Sequence, residues 1–164
     1  MTQPQAVVVM GVSGSGKTSV GSALADALGW PFYDGDDFHP QANVEKMSRG
    51  VPLDDADRQP WLESLHSLIA RHLKEGRSLV VACSALKAHY RQTLRGDLEE
   101  VRFVYLKGDF ALIHSRMEAR SGHYMQPEML RSQYRDLEPP GDALTVSVQP
   151  PVAQIVKTIL KKLP

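Results

Sequence analysis

This chain has a single cysteine and no net charge. Among its 164 residues Cys83 is the only cysteine, so no disulfide can form within the chain. The formal net charge is zero, which argues against a general nucleic-acid binder because such proteins usually carry a strong basic excess. The sequence contains no apolar run of about 18 residues, the length that crosses a membrane, and residues 1–5 lack the basic and apolar segments of a signal peptide. These absences predict a protein of the reducing cytoplasm, with neither a membrane nor a nucleic acid as partner.

The overall composition predicts one folded domain that spans residues 1–164. This length lies near the common size of a single domain. Hydrophobic residues make up 42% of the chain and charged residues 23%, which is ordinary for a globular protein. No linker, low-complexity segment or internal repeat interrupts the sequence, so its function has to be inferred from local motifs.

The most specific motif covers residues 11–18, which read Gly-Val-Ser-Gly-Ser-Gly-Lys-Thr directly after the apolar run at residues 6–10. It matches the G-x-x-x-x-G-K-[ST] phosphate loop in its required context, between a strand and a helix. Successive backbone N–H groups form a concave anion site there, and the following helix adds its positive N-terminal end. Lys17 is expected to contact the β- and γ-phosphates, and the Thr18 hydroxyl to bind Mg²⁺. The motif predicts a nucleoside triphosphate and Mg²⁺, held by Gly11, Ser13, Gly14, Ser15, Gly16, Lys17, Thr18 and Ser19.

Apolar patterns predict strands that alternate with helices along the chain. The strands are expected at residues 6–10, 31–33, 78–83, 101–106 and 144–148. The helices are expected at residues 17–28, 40–48, 55–75, 87–95, 110–120, 127–137 and 152–163. The expected caps are Gly29, Asp54 or Asp55, Gly76 and Asp109. This alternation is typical of an α/β fold with a parallel sheet and helices on both faces, in which ligands bind at the carboxyl ends of the strands.

Two carboxylates follow the second predicted strand, where Asp34 and Asp36 flank a glycine. One of them could hold Mg²⁺, and the other could orient a substrate hydroxyl and accept its proton. The alternative is an exposed acidic turn, since Asp-Gly is also a turn signal. The nearby phosphate loop favours a functional pair. Asp34 is then the candidate metal ligand beside Thr18 and Asp36 the candidate base, although the sequence leaves open which of the two takes the proton.

Other classes of phosphate-loop protein are disfavoured by what is missing. The Asn-Lys-x-Asp guanine reader of GTPases is absent, because Asn43 is the only asparagine and Val-Glu-Lys follows it. The third predicted strand ends in Ala-Cys-Ser and not in the acidic residue of a Walker B motif. The chain is also too short for a motor with coupling domains. A small-molecule kinase remains, with a nucleotide-binding switch protein as the alternative from a different class.

The sequence resembles the gluconokinases, small kinases similar to shikimate kinase. The matching stretches are residues 11–18, 34–40, 43–47, 50–58, 60–62, 83–87, 90–91, 123–125, 132–134 and 137–139. The resemblance implies a three-layer phosphate-loop NTPase fold like that of nucleoside-monophosphate kinases, with a five-stranded parallel sheet and a mobile lid near residues 117–137. It also implies ATP-dependent phosphorylation of D-gluconate to 6-phosphogluconate, with Mg²⁺ as the metal. Members of this family are often dimers, so a homodimer is an expectation. Kinases for shikimate or adenylyl sulfate are the alternatives within the class.

Gluconate carries a carboxylate and a chain of hydroxyls, so its site needs cations at one end and hydrogen-bonding groups along the rest. An arginine can bind a carboxylate through two parallel hydrogen bonds. Arg58 and Lys87 are the leading candidates for this contact, ahead of Arg49 and Arg91, and the alternative for each is a solvated charge on a helix. His39 is expected to hydrogen-bond a substrate hydroxyl or to shape its turn, and not to act as the general base. The candidate substrate-binding residues are Asp34, Asp36, His39, Arg49, Arg58 and Lys87.

Two arginines lie one helical turn apart, at positions 116 and 120. Like charges at this spacing repel, and a bound nucleotide between or above them would relieve that repulsion. The resemblance implies that lid closure excludes water and brings an arginine to the transferred phosphoryl group. A solvent-facing pair is the alternative. Arg116 and Arg120 are therefore candidate nucleotide-binding residues, and the expected catalytic set is Lys17, Asp36 and Arg120.

Overall fold

The computed structural model describes residues 3–119 and 127–163. Five strands form one parallel sheet in the order β2-β3-β1-β4-β5. Their bounds are β1 Ala6–Met10, β2 Phe32–Asp34, β3 Leu79–Ala82, β4 Val101–Lys107 and β5 Leu144–Ser147. The central strand β1 pairs with β3 on one side and with β4 on the other, so that Ala6 lies opposite both Leu79 and Val101. The structure confirms the predicted five-stranded parallel α/β fold.

Seven α-helices within the described residues connect or follow these strands. Their bounds are α1 Lys17–Leu28, α2 Gln41–Ser48, α3 Asp55–Lys74, α4 Ala88–Arg95, α5 Phe110–Glu118, α6 Pro127–Asp136 and α7 Val152–Lys162. A one-turn 3₁₀ helix, Gly35–Phe38, links β2 to α2. The expected helices are confirmed to within a few residues at each end. None of the helices at residues 3–119 and 127–163 has the length and apolar character needed to span a bilayer.

Local capping chemistry explains where the helices begin and end. The Asp54 carboxylate accepts from the Asp57 backbone N–H at the start of α3, and the Asp57 side chain accepts from Asp54 in return. The Asp109 side chain caps α5 in the same way, through the Leu112 N–H. Gly29 ends α1 with a φ of 71°, a left-handed conformation that favours glycine. Each of these caps had been predicted from residue type and position.

The core lies on both faces of the sheet. Every residue of β1 and β3 is buried, as expected for parallel strands covered by helices on both sides. Cys83, which follows β3, is fully buried, and burial raises the pKa of its thiol to about 12. The thiol therefore stays protonated and contributes packing, which agrees with the interpretation from the sequence.

Polar segments follow the carboxyl ends of four strands. The phosphate loop follows β1, the Asp34–Asp36 segment follows β2, Ser84 follows β3, and residues 149–151 follow β5. The adjacent strands β2, β3 and β1 bring the first three segments together at one edge of the sheet. This edge is the candidate site.

Candidate active site

The phosphate loop has the backbone that anion binding requires. Gly14 and Gly16 have φ values of 81° and 93°, in the region that side chains other than glycine rarely adopt. A Cβ atom on Gly14 would lie 2.6 Å from the Met117 side chain, so both conformation and space demand glycine there. The Ser15 hydroxyl is buried and has no hydrogen-bond partner among the described residues. The loop thus offers backbone N–H groups and an unsatisfied hydroxyl to a ligand.

A hydroxyl and a carboxylate lie side by side at the start of α1. Thr18 Oγ1 donates to Asp34 Oδ2 at 3.3 Å, and Asp34 Oδ1 accepts from the Asp36 backbone N–H at 3.0 Å. Oxygen donors of these two kinds are those that Mg²⁺ prefers. The structure therefore places both candidate metal ligands together. Residues 3–119 and 127–163 contain no group of three or more His, Cys, Asp and Glu side chains that could hold a metal ion.

A cleft of about 400 Å³ opens on one side of the phosphate loop. Four of the predicted catalytic and substrate-binding residues line it: Lys17, Asp36, His39 and Arg58. The Asp36 side chain is 66% exposed, so its carboxylate is available to a ligand. The remaining lining residues are Ser13, Met47, Ser48, Gly50, Pro52, Leu53, Trp61, Ser84, Leu86, Met129, Ser132 and Gln133.

Among the four candidate cations for a substrate carboxylate, Arg58 lines this cleft, and two neighbours hold its guanidinium in place. Its Nη1 donates to the Tyr90 hydroxyl at 2.8 Å and lies 3.7 Å from Asp136 Oδ2 on α6. Its side chain is only 14% exposed. The Tyr90 hydroxyl also donates to the Asp55 carboxylate, so it connects Arg58 with Asp55 at the start of the same helix. A charged, largely buried and oriented guanidinium is suited to binding a carboxylate.

The other candidate cations lie outside this cleft. Lys87 Nζ bonds to Asp55 Oδ1 at 3.1 Å, and this contact raises the pKa of Lys87. Arg49 is exposed at the C-terminal end of α2 and does not line the cleft. Lys87 nevertheless lies near Arg58, because both cations contact the Tyr90 ring, at 5.7 and 5.4 Å from its centroid. No described contact connects Arg49 with Arg58.

The fourth cation, Arg91, has a structural role. Its guanidinium donates to the backbone oxygens of Ala85, Leu86 and Glu138, at 2.7, 3.2 and 2.8 Å. Ala85 has a φ of 46°, uncommon for a residue other than glycine, and Arg91 holds that strained loop after β3. The idea that Arg91 contacts an anionic substrate is not supported, because these donors are already used.

His39 lies against the indole of Trp61 at the floor of the cleft. The two rings stack with centroids 4.1 Å apart and planes inclined by 16°. Burial lowers the pKa of His39 below its ordinary value, Asp36 opposes that change, and Arg58 adds to it. The histidine therefore stays neutral at neutral pH. Trp61 had been interpreted as a core residue, and it is indeed 2% exposed, but it also forms part of the cleft.

A second cleft, of about 390 Å³, is lined by other residues of the phosphate loop and of α1. Arg116 lines it together with Ser19 and residues 14–16 and 149–151. Arg116 donates to the backbone oxygens of Val148 at 2.6 Å and Gln149 at 3.2 Å, which fixes its guanidinium beside the loop. The structure thus places Arg116, a predicted nucleotide-binding residue, next to the phosphate loop. Arg120 lies outside the described residues.

Comparisons with known proteins agree with this arrangement. Residues 13–140 match the family model for shikimate kinase. The gluconokinase of Gluconobacter oxydans (strain 621H) is 49% identical over 140 residues, which cover 85% of this chain and 79% of that protein. A probable gluconokinase of Rattus norvegicus is 44% identical over 184 residues, which cover 99% of this chain and 100% of that protein. The crystal structure of a gluconokinase from Sinorhizobium meliloti 1021 has a TM-score of 0.88 and 43% identity, covering 98% of this chain and 92% of that one.

The chain belongs to the gluconokinases, within the shikimate kinase family. Membership confirms the resemblance that the sequence motifs had indicated. It also establishes a kinase of the phosphate-loop type, which implies use of ATP and a small-molecule substrate. The switch-protein alternative is thereby removed.

One contact of this gluconokinase site was missed by sequence reasoning. The Gln133 side chain on α6 accepts from the Ser13 backbone N–H at 2.7 Å and donates to the Ser13 hydroxyl at 2.9 Å. Gln133 belongs to one of the stretches that carry the family resemblance, but nothing in its local pattern pointed to the phosphate loop 120 residues earlier. α6 therefore contacts both the loop, through Gln133, and Arg58, through Asp136.

Proposed function

We propose that this chain transfers the γ-phosphoryl group of ATP to the terminal hydroxyl of D-gluconate, forming 6-phospho-D-gluconate and ADP. The observation that carries the proposal is one cleft lined by Lys17, Asp36 and Arg58. Together these residues provide a cation for phosphate, an acceptor for a hydroxyl proton and an anchor for a carboxylate. The curated names of the relatives provide the second support.

ATP would occupy the second cleft, with its phosphates in the loop between the two clefts. The backbone N–H groups of Gly14 and residues 16–18 would bind the phosphate oxygens, and Arg116 with residues 149–151 would line the adenosine end. Arg120 is proposed as the arginine that contacts the transferred group. Such a residue stabilises charge on the phosphoryl oxygens in related reactions.

Mg²⁺ would be held by Thr18 and Asp34, whose oxygens already lie 3.3 Å apart. When bound, the ion would neutralise charge on the phosphate oxygens. Asp34 uses one oxygen on Thr18 and the other on the Asp36 backbone N–H, so it is committed to this position. This geometry favours Asp34 as the metal ligand and leaves Asp36 for the substrate.

Asp36 would accept the proton of the terminal hydroxyl as the oxygen bonds to phosphorus. The bond from the γ-phosphorus to the bridging oxygen breaks, and ADP leaves with that electron pair. Arg58 would bind the carboxylate at the other end of gluconate. Holding both ends fixes the hydroxyl in line with the phosphoryl group, which is the main task in this chemistry.

A coupled ADP-release assay tests the proposal with matched acceptors. D-gluconate should stimulate ADP release strongly. D-glucitol, in which a hydroxymethyl group replaces the carboxylate, should be a poor acceptor, and so should shikimate and adenylyl sulfate. ADP release that does not respond to D-gluconate would refute the function, and preference for shikimate or adenylyl sulfate would establish the corresponding alternative.

Replacing Arg58 with glutamine should raise the KM for D-gluconate about 10- to 100-fold and leave the KM for ATP unchanged. The reason is loss of a charge-assisted hydrogen bond, worth about 1.5–3 kcal/mol. The variant should also discriminate less between D-gluconate and D-glucitol. Arg71→Gln, an exposed change in the last turn of the same helix, is the control. An unchanged KM for D-gluconate would remove Arg58 from the carboxylate site.

A further inference from the structure

Asn43, the only asparagine of the chain, is buried in the first turn of α2, where it contacts His39. Its Nδ2 donates to the backbone oxygen of Asp57 at 2.8 Å. The same Nδ2 lies 3.2 Å from Nδ1 of His39. The residue is 97% buried and contacts His39, which lines the cleft, so it has almost no surface to offer a ligand directly.

These two contacts determine which ring nitrogen of His39 carries the proton. A backbone oxygen can only accept, so the Asn43 atom that faces Asp57 has to be the amino nitrogen and not the amide oxygen. An amino group has two hydrogens and no acceptor lone pair, so its contact with His39 is a donation to Nδ1. In the neutral imidazole an accepting Nδ1 requires that the hydrogen is on Nε2.

The opposite side of the imidazole ring faces Asp36. The His39 Nε2 lies 4.0 Å from Asp36 Oδ1, too far for a direct hydrogen bond. One oxygen atom about 2.8 Å from each would bridge this gap. The ring cannot turn freely, because it stacks on Trp61 and the indole N–H of Trp61 is fixed on the Gly35 backbone oxygen at 2.7 Å. The Nε2–H donor of His39 and the carboxylate acceptor of Asp36 thus face the same small space in the cleft.

We propose that Asn43 is a positioning residue that holds His39 in the Nε2–H tautomer, so that His39 and Asp36 act together on the reacting hydroxyl. The hydroxyl oxygen accepts from His39 and donates its proton to Asp36. The hydroxyl oxygen then has its bond to carbon, its bond to hydrogen and one lone pair in fixed directions. Its remaining lone pair is therefore also fixed in direction, and it is the one that attacks phosphorus. This inference rests on the proposed function, because it needs an alcohol as acceptor.

The charged surroundings of His39 are compatible with a neutral ring. Asp36 faces it from the 3₁₀ helix and Arg58 from α3. Asp57, whose backbone oxygen holds Asn43, has its own carboxylate paired with Lys46 at 2.7 Å. Burial lowers the pKa of His39, with Arg58 acting in the same direction and Asp36 against it. A second proton on Nδ1 would also point at the amino group of Asn43, which has no lone pair to accept it.

The decisive variant is Asn43→Asp, which keeps the size of the side chain and replaces the amino donor by a carboxylate acceptor. The Nδ1 atom would then have to carry hydrogen. Nitrogen-15 NMR of the imidazole rings should show His39 protonated at Nε2 in the parent protein and at Nδ1 in the variant. The KM for D-gluconate should rise and kcat should fall, together lowering kcat/KM at least about 10-fold, while the KM for ATP stays the same. Gln41→Glu, the same amide-to-acid change on the exposed surface of α2, should leave both readouts unchanged.

A second variant separates the tautomer from a general disturbance of α2. His39→Gln keeps a donor where Nε2 lies but has no tautomers, so adding Asn43→Asp to it should lower kcat/KM by much less than in the parent. Equal losses in the two backgrounds would overturn the proposal, even if Asn43→Asp alone is unstable. So would a parent protein with His39 protonated at Nδ1. The NMR result does not depend on turnover, so failure of gluconate phosphorylation and failure of this inference are distinguishable.

Discussion

Replacing Asp36 with asparagine is expected to lower kcat about 10²–10⁴-fold, the usual contribution of a positioned general base. Asparagine has the same size as aspartate and can still accept a hydrogen bond, but it cannot take the proton of the hydroxyl. Asp36 lines the cleft with an exposed carboxylate, whereas both oxygens of Asp34 are used by Thr18 and by the backbone. The effect should therefore fall on kcat more than on the KM for ATP.

The neighbouring Asp37 provides a matched control. It is exposed, lies in the same 3₁₀ helix and does not line either cleft, so Asp37→Asn should retain near-parental activity. Steady-state kinetics of both variants, with unfolding temperatures recorded alongside, make the comparison. A rate for Asp36→Asn close to that of the parent would reduce Asp36 to a turn residue. A group other than Asp36 would then have to accept the proton of the hydroxyl.

Replacing Lys17 with alanine is expected to lower kcat/KM for ATP by at least about 10²–10³-fold, the cost of losing one preorganised electrostatic contact to the reacting group. Lys17 is the first residue of α1 and lines the substrate cleft beside Asp36. In the proposed complex its ammonium group would therefore lie between the phosphate loop and the acceptor. Because it would contact phosphates both before and during transfer, ATP binding and turnover should weaken together.

Equilibrium binding of a non-hydrolysable ATP analogue, measured alongside kinetics, separates the two contributions. Lys74→Ala, at the exposed end of α3, is the charge-matched control and should leave both unchanged. Unaltered analogue binding together with unaltered turnover in Lys17→Ala would exclude this lysine from the phosphate site. Lys17→Arg should remain well below the parent, because a bulky planar guanidinium does not replace a compact ammonium group.

The parts of this molecule that sequence reasoning predicted well are those encoded by nearby residues. The phosphate loop is contiguous, and its glycines, lysine and threonine identify it without any distant contact. Helix caps such as Asp54 and Gly29 are also local, since a side chain or a left-handed residue acts within one turn. Strands β1 and β3 were recognisable because parallel strands buried on both faces are almost uniformly apolar. Family membership agrees with these local signals.

Which cations would bind the substrate could not be predicted in the same way. The sequence ranks Arg58 and Lys87 ahead of Arg91 but does not separate the first two, and partners far along the chain determine the role of each cation. Arg91 is used by the backbone oxygen of Glu138, 47 residues later, while Arg58 gains Tyr90 and Asp136 as supports. Hydrogen-bond satisfaction depends on tertiary contacts, so no local pattern reveals it.

Helix α6 touches the two halves of the site at once, through Gln133 on Ser13 and through Asp136 beside Arg58. A ligand that competes for either contact changes the free energy of the other, because one rigid element carries both. Thermodynamic linkage is reciprocal. If ATP changes the affinity for the acceptor by some factor, the acceptor changes the affinity for ATP by the same factor. Synergy or antagonism transmitted through this helix would thus depend on ten residues, three of which also line the cleft.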